Sequence, residues 1–312
     1  MPDSYYIVLN ARSGSAAGFD RERLGALLAE HGHAATVDAD SDAPLEQRVE
    51  RAMKSDADVI VAAGGDGTAT ALASAAISHG KPLAVLPLGT ANLLARDLRL
   101  PLDPEAWVTG LAAMEPRRID VGEVNGRVFL HKVVVGTIPG IAAVREEIRD
   151  RHSLATKLAF LGHFARRLAR ARRIAIEITP SDGPPRIERV QSIAVGNNGY
   201  DEGLGRFFSR SRLDAGRLSV YVFKHLTFAD TVRLGAEMLL GTWRQDEALE
   251  IEDVRALTIR LRRRKVRVML DGEVTMLDAP LRFTLMPRGL TVLAPPLAAA
   301  EETLPGAQPQ PA

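Results

Sequence analysis

Short apolar runs alternate with amphipathic stretches through the first third of the chain. Tyr6-Ile7-Val8-Leu9, Ala34-Ala35-Thr36-Val37, Val59-Ile60-Val61-Ala62-Ala63 and Leu83-Ala84-Val85-Leu86 are almost continuously apolar. That is the pattern of strands buried on both faces. Between them, Leu24, Leu27 and Leu28 recur at helical spacing, and residues 69–78 read as a helix of small side chains. Asp42 and Pro44 predict a helix start, because Asp accepts orphan N–H groups and Pro suits the first turn. Strand–helix alternation of this kind predicts a parallel sheet covered by helices.

The pattern changes after Asp120. Strands are predicted at 121–135, 174–178, 187–195, 218–223, 256–261, 265–270 and 281–286, most of them close together with turn residues between. This predicts an antiparallel sandwich or barrel. Helical stretches at 153–170 and 227–241 interrupt it. The expected organisation is an α/β domain over 1–120, a β-rich domain over 121–296 and a frayed Ala- and Pro-rich tail over 297–312.

Composition narrows the function. The 312 residues suffice for two domains, and 46% hydrophobic with 25% charged residues excludes disorder as the main state. A net charge of +1 argues against a nucleic-acid partner. The absence of cysteine removes disulfides, thiolate metal sites and a cysteine nucleophile. No apolar run approaches the roughly 20 residues of a membrane span. The start lacks a basic segment followed by an apolar one, so a cytoplasmic protein is expected, with any membrane contact peripheral.

Gly64-Gly65-Asp66-Gly67-Thr68 is the most informative segment. It follows a strong strand and opens a helix, so bare backbone N–H groups and the helix dipole would together favour a phosphate. An acid inside an anion site is a local inconsistency that a cation or a proton-transfer role would resolve. A second loop, Leu86-Pro87-Leu88-Gly89-Thr90-Ala91-Asn92, and a third, Asn10-Ala11-Arg12-Ser13-Gly14-Ser15, also follow strands. All three would lie at the carboxyl ends of parallel strands, where α/β proteins bind ligands. Leu270-Asp271-Gly272-Glu273 adds two carboxylates at a turn, as a base or a Mg²⁺ ligand, although Asp-Gly is also a common hairpin signal.

Other motifs fail. Gly80-Lys81 is followed by Pro82, not by the Ser/Thr of a Walker loop. Asp38-Ala39-Asp40-Ser41-Asp42 imitates a calcium loop, but Ala43 replaces the required glycine, so these acids are expected at a helix start and in a solvated loop. His31 and His33 read as surface residues, and Trp107 and Trp243 as packing.

The segments Asn10…Ser13-Gly14, Gly64 to Thr68, Pro87 to Asn92 with Ala95-Arg96, Val195-Gly196-Asn197-Asn198 and Leu270 to Glu273 occur in the order seen in the diacylglycerol kinase catalytic-domain family, and the chain resembles that family over nearly its whole length. The resemblance implies a three-layer α/β nucleotide domain followed by a β-rich domain, the active site in the cleft between them, and ATP- and Mg²⁺-dependent phosphorylation of a lipid hydroxyl. It implies phosphate contacts from Gly64, Gly65, Gly67, Thr68, Gly89, Thr90 and Asn92, and a nucleotide border at Asn10 and Ser13. Glu273 is implied as general base, and Asp66 as the acid orienting Mg²⁺ or the acceptor. Asp271 is a second candidate for the metal. The chain departs from the family pattern at Thr70-Ala71, at Leu93 after Asn92, at Ala215 within Asp214-Ala215-Gly216 and at His131-Lys132. The acceptor class expected is diacylglycerol-, sphingoid- or phosphatidylglycerol-like. A kinase of a soluble hydroxyl and a non-catalytic nucleotide- or membrane-binding module stay open as alternatives, as does a homodimer.

Two stretches bear on the membrane. Between Arg151 and Arg173 there are seven Lys and Arg residues and no acid, with Leu154, Leu158, Leu161, Ala165 and Leu168 at helical spacing. This suits a basic amphipathic helix on an anionic surface, or equally a helix packed on the second domain. Six more basic residues surround an expected hairpin at 260–267, as a positive face or as protection of edge strands.

Overall fold

The computed structural model describes residues 4–10, 19–136, 172–203 and 209–296. Ser13 and most of the basic stretch between Arg151 and Arg173, including Arg166, Arg167 and Arg170, lie outside them, as does the expected tail at 297–312. The chain divides into two compact units, one of residues 1–119 with 288–312 and one of residues 120–287. The return of the chain to the first unit at Arg288 is absent from the sequence-based division.

In the first unit the elements are β1 (Ser4–Leu9), α1 (Arg21–Glu30), β2 (Ala34–Asp38), α2 (Leu45–Lys54), β3 (Val59–Gly64), α3 (Asp66–His79), β4 (Leu83–Pro87), α4 (Leu93–Asp97) and α5 (Pro104–Leu111). The strands run parallel in the order β2-β1-β3-β4. Helix α1 packs on α5, and α2 on α3. Ile7, Leu9, Ile60, Leu83 and Leu86 are buried in the sheet, and Leu24, Leu28, Leu72 and Trp107 on the helices. Caps set two of the boundaries: Asp20 accepts the Arg23 N–H at 2.8 Å, and Asp103, before Pro104 at the first helical position, accepts that of Ala106 at 2.8 Å.

Two expectations are corrected here. Asp42 does not start α2. Asp40 accepts the N–H groups of Asp42 and Ala43 instead, and Pro44 occupies the cap position without a side-chain bond. Asp38 is not a solvated loop acid. It ends β2 buried against Arg48, whose Nε lies 3.1 Å from Asp38 Oδ1 and whose guanidinium also donates to the Leu9 carbonyl at 2.7 Å. An arginine buried from α2 requires that carboxylate, since an unpaired buried charge is costly.

The second unit holds β6 (Arg127–Phe129), β7 (Lys132–Gly136), β8 (Ile174–Pro180), β9 (Arg186–Val190), β10 (Ser192–Asn197), β11 (Leu218–Phe223), α6 (Phe228–Leu240), β12 (Leu249–Val254), β13 (Ala256–Leu261), β14 (Lys265–Leu270) and β15 (Glu273–Asp278), with parts of β5 (Glu115–Val124) and β16 (Leu281–Ala294). Six strands form an antiparallel sheet in the order β12-β11-β10-β7-β14-β15. A second antiparallel layer contains β9-β8-β13 and the first residues of β16. Alternate side chains of both layers, among them Val133, Val220, Val268, Ile178, Ile259 and Phe283, interdigitate as one apolar core, which makes this unit a β-sandwich. On the other face of the six-stranded sheet, Leu234 of α6 packs with Tyr221, Trp243 and Met269. The strands β12 and β15 are missing from the sequence reading. Charged residues alternate with apolar ones in β12, as suits a strand with one solvated face, and β15 carries its charges only at its two ends.

Candidate functional site

In the first unit the ends of three parallel strands meet. The register pairs Leu9 with Ala63 and Gly64 with Pro87. Beyond it the Asn10 N–H donates to the Ala63 carbonyl at 2.8 Å, and the Leu88 N–H to that of Gly64 at 3.0 Å. Asn10, Gly64 to Thr68 and Gly89 to Asn92 are therefore brought side by side, as their strand-end positions predict.

Helix α3 starts at Asp66, three residues earlier than the sequence suggests, with Gly65 as its cap residue and no side chain bonded there. The glycines are needed for close approach. A Cβ on Gly89 would lie 2.5 Å from Gly65 Cα and 2.7 Å from Asn92 Oδ1, and one on Gly64 would lie 2.7 Å from Thr68 Oγ1. The two loops thus touch backbone to backbone, while Gly65, Asp66 and Gly67 stay partly accessible and Thr90 is exposed. Asn92 takes a left-handed conformation (φ 49°) and closes the second loop, accepting the Gly89 N–H at 2.9 Å and donating to the Gly89 carbonyl at 2.8 Å. Thr68 is buried and its hydroxyl oxygen accepts from Asn10 Nδ2 at 3.2 Å. The side chains of Asn92 and Thr68 hence shape the loops from within. Asp66 Oδ1 accepts the Leu93 N–H at 2.7 Å, so the carboxylate that opens α3 also satisfies the first turn of α4. Leu93, a departure from the family pattern in side chain, joins the two loops through its backbone.

In the second unit Asp271-Gly272 is the two-residue turn between β14 and β15. Both residues have positive φ, 48° and 99°, and Leu270 faces Glu273 across the ladder. Asp271 was expected as a metal ligand. Its carboxylate is instead buried and accepts three backbone N–H groups, from Leu130 at 2.6 Å, His131 at 2.9 Å and Lys132 at 2.8 Å. Burial raises its pKa from the ordinary aspartate value, and the three amides and the Arg210 charge pull it back. These bonds fix the turn on β7 and set the place of Glu273, which is exposed as the first residue of β15. Among the described residues no group of three or more His, Asp or Glu side chains is arranged to hold a metal ion.

The sequence reading misses the residues that hold this turn. Arg210 is only 2% exposed and donates to the carbonyls of Leu130 at 2.8 Å and Asn197 at 2.7 Å. Asn197 Nδ2 donates to the carbonyl of Asp120 at 2.8 Å, Asp120 Oδ2 accepts the Gly216 N–H at 2.7 Å, and the Tyr200 hydroxyl lies 3.0 Å from His131 Nδ1. Nothing in a run such as Arg210-Ser211-Arg212 distinguishes a buried arginine from an exposed one. Only the tight spacing of Asn197-Asn198 with Asp214-Ala215-Gly216 hints at such a network.

Comparison with known proteins adds the ancestry. Residues 4–124 match the model of the diacylglycerol kinase catalytic domain, and residues 135–294 that of the YegS C-terminal NAD kinase beta sandwich-like domain. A probable lipid kinase YegS-like of Pseudomonas aeruginosa is 42% identical over 98 residues, 30% of this chain and 32% of that protein. A diacylglycerol kinase of Bacillus subtilis is 26% identical over 234 residues, 69% of this chain and 71% of that protein. The match spans about a third of the length of the first of these curated relatives. In fold, the chain is similar to a putative diacylglycerol kinase of Bacillus anthracis, with a TM-score of 0.71, 18% identity and coverage of 95% of this chain and 98% of that one. It is similar, at a TM-score of 0.53 and 13% identity over 96% of each chain, to an NAD kinase of Archaeoglobus fulgidus solved in complex with ATP. No helix among the described residues is long and apolar enough to cross a membrane. With the catalytic-domain match followed by a sandwich match over half of its length, the chain belongs to the diacylglycerol kinase catalytic-domain family.

Proposed function

We propose that the chain is a lipid kinase that transfers the γ-phosphate of ATP to the hydroxyl of a diacylglycerol-, sphingoid- or phosphatidylglycerol-like lipid, with Mg²⁺, working from the cytoplasm at the membrane surface. Family membership supports the phosphotransfer class, and the observation that carries the reading is the bare-backbone contact of Gly65 with Gly89 at an α3 start that no side chain caps. Such a start suits phosphate oxygens, because backbone N–H groups and the helix dipole both favour an anion there. The residues fit a nucleotide's phosphates at Gly65, Gly67 and Thr90. Mg²⁺ is ordinarily held by one or two carboxylates together with substrate phosphates, which suits a site whose loops carry Asp66 and no cage of acids. When bound, the ion neutralises charge on the phosphoryl group in transfer.

In this reading Glu273 accepts the proton of the lipid hydroxyl as its oxygen bonds to the γ-phosphorus and the bond to the β-phosphate oxygen breaks, releasing ADP. Asp271 acts on this step only through Glu273, as a positioning residue. Asp66 ties the two phosphate loops together and orients the ion.

The test is Glu273→Gln with ATP and each of the three lipid classes as acceptor. ATP affinity is expected to be retained while turnover falls by about a thousandfold, the usual scale for loss of a general base. Wild-type protein that phosphorylates glycerol or a nucleotide but none of the lipids would move the assignment to a soluble acceptor. Folded wild type with no turnover on any acceptor would leave a binding module.

A further inference from the structure

The hairpin that carries Glu273 has a second face. Val266 and Val268 of β14 and Leu277 of β15 point into the sandwich core. Register puts the alternate residues on the opposite face, Arg267 across from Met276 and Met269, which is buried with Leu234 of α6, across from Val274. Val274 is 45% exposed and Met276 48%, adjacent positions on the outer side of an edge strand. Beside them the turn from β13 to β14 presents Arg262, Arg263 and Arg264, followed by Lys265 and Arg267, all exposed. None of these five cations makes an ion pair with a described residue, whereas Arg260, just before them, lies 3.5 Å from Glu177. Edge protection does not account for them, because it would place charges along β15, whose two charged residues, Glu273 and Asp278, stand only at its ends.

We infer that this outer hairpin face and the arginine turn form a docking surface for an anionic lipid bilayer. Five cations, offset on this hairpin only by Asp278 across from Lys265, next to two exposed aliphatic side chains match a negative headgroup layer over an acyl boundary in both charge and depth. A protein partner is a poorer match, since stable interfaces centre on buried aromatic anchors and this face has none. A second copy would set arginine against arginine. Helix α6 also exposes Phe228, Val232 and Leu239, but its Arg233 is bound to Asp246 at 3.0 Å and stands beside Asp230 and Glu237, which leaves no positive charge there to select an anionic surface. The inference deepens the lipid-kinase reading by naming where the bilayer sits, and it rests on that reading for its purpose.

Sedimentation with phosphatidylglycerol–phosphatidylcholine vesicles, in the absence of ATP, tests it. Wild-type protein is expected to bind these vesicles and not phosphatidylcholine alone. The triple variant R262Q/R263Q/R264Q is expected to bind about a hundredfold more weakly, from roughly a fivefold contribution per cation near an anionic surface. Met276→Asp is expected to weaken binding without changing the melting temperature, since the side chain is half in solvent. Unchanged binding in both folded variants overturns the surface. So does its loss only on charge reversal at Arg166, Arg167 and Arg170, or a wild-type dimer that Met276→Asp dissociates while vesicle binding persists. Vesicle binding without phosphorylation of any lipid sinks the kinase reading alone. Phosphorylation of lipid in detergent micelles, with vesicle binding indifferent to the three arginines, sinks the docking surface alone.

Discussion

At the start of α3 the cap position is Gly65, with no side chain to offer the helix's first N–H groups; at the start of α6 Thr227 and Asp230 close the same kind of groups from both sides. The turns differ in the same sense. The Gly65 and Gly89 loops bring backbone against backbone and keep side chains out, whereas the Asp271 turn draws three amides onto one buried carboxylate. A start without a capping side chain leaves its first N–H groups to water or to an anion. A carboxylate saturated by amides has its acceptors taken up by the fold, and in the proposed reading the proton transfer falls to its neighbour Glu273. On the proposed function, the open start would receive an anion and the closed turn would place an acid.

Reopening the closed turn is the severest way to break this contrast. Asp271→Asn keeps the shape but sets an amide NH₂ among three N–H donors, leaving buried donors without an acceptor. A loss of about 3 kcal/mol in unfolding free energy is expected, with turnover falling further than the residual folded fraction explains because Glu273 loses its fixed place. Urea unfolding together with turnover per folded molecule measures both. A variant as stable as wild type would show that the three amides are satisfied in another way and that the turn does not depend on Asp271.

Closing the open loops is the next test. Gly89→Ala places a methyl group 2.5 Å from Gly65 Cα, a contact with backbone that has no rotamer to escape into. The loops must separate, and overpacking of this kind costs about 2 kcal/mol. Calorimetric titration with ATP is expected to show lost affinity even where the protein remains folded. Retained affinity would remove the Gly65–Gly89 contact from the nucleotide site.

How much of this was legible beforehand depends on the range of the interaction. The four parallel strands and their glycine-bearing ends follow from local pattern, because a strand buried on both faces must be apolar throughout and a tight approach must be glycine. The start of α3 was misplaced because Asp66-Gly67-Thr68 has loop composition; what makes it helical is the packing of buried Thr68 and Leu72, which no window of sequence displays. The amides that occupy the Asp271 carboxylate, which was expected to hold a metal, come from residues 139 to 141 positions away. Buried Arg210 and Arg48 were invisible for the same reason, since an arginine is paid for by carbonyls and carboxylates contributed from distant segments.

The smallest expected effect sharpens the contrast at the helix starts. Thr227 Oγ1 accepts the Asp230 N–H at 3.1 Å, and Asp230 Oδ2 accepts the Thr227 N–H at 2.8 Å and its hydroxyl at 2.7 Å. These bonds favour the ionised carboxylate and lower the Asp230 pKa, the Thr227 hydroxyl being the foremost cause. A carboxylate whose pKa falls on folding binds its proton more weakly in the folded state. Its stabilisation is therefore complete above the ordinary aspartate value and is lost as pH falls through the folded value. Thr227→Ala removes both the cap and the hydroxyl donor, at a cost of about 1 kcal/mol near neutral pH. Thermal unfolding from pH 7 down to about 3 is then expected to show the gap between wild type and variant narrowing in acid, because protonation of Asp230 weakens in the wild type the hydroxyl bond that the substitution removes, while the cap onto the Asp230 N–H is independent of that charge. Parallel curves would mean that Asp230 keeps its charge for reasons outside the box, and the closed start of α6 would no longer be the counterpart of the open start of α3.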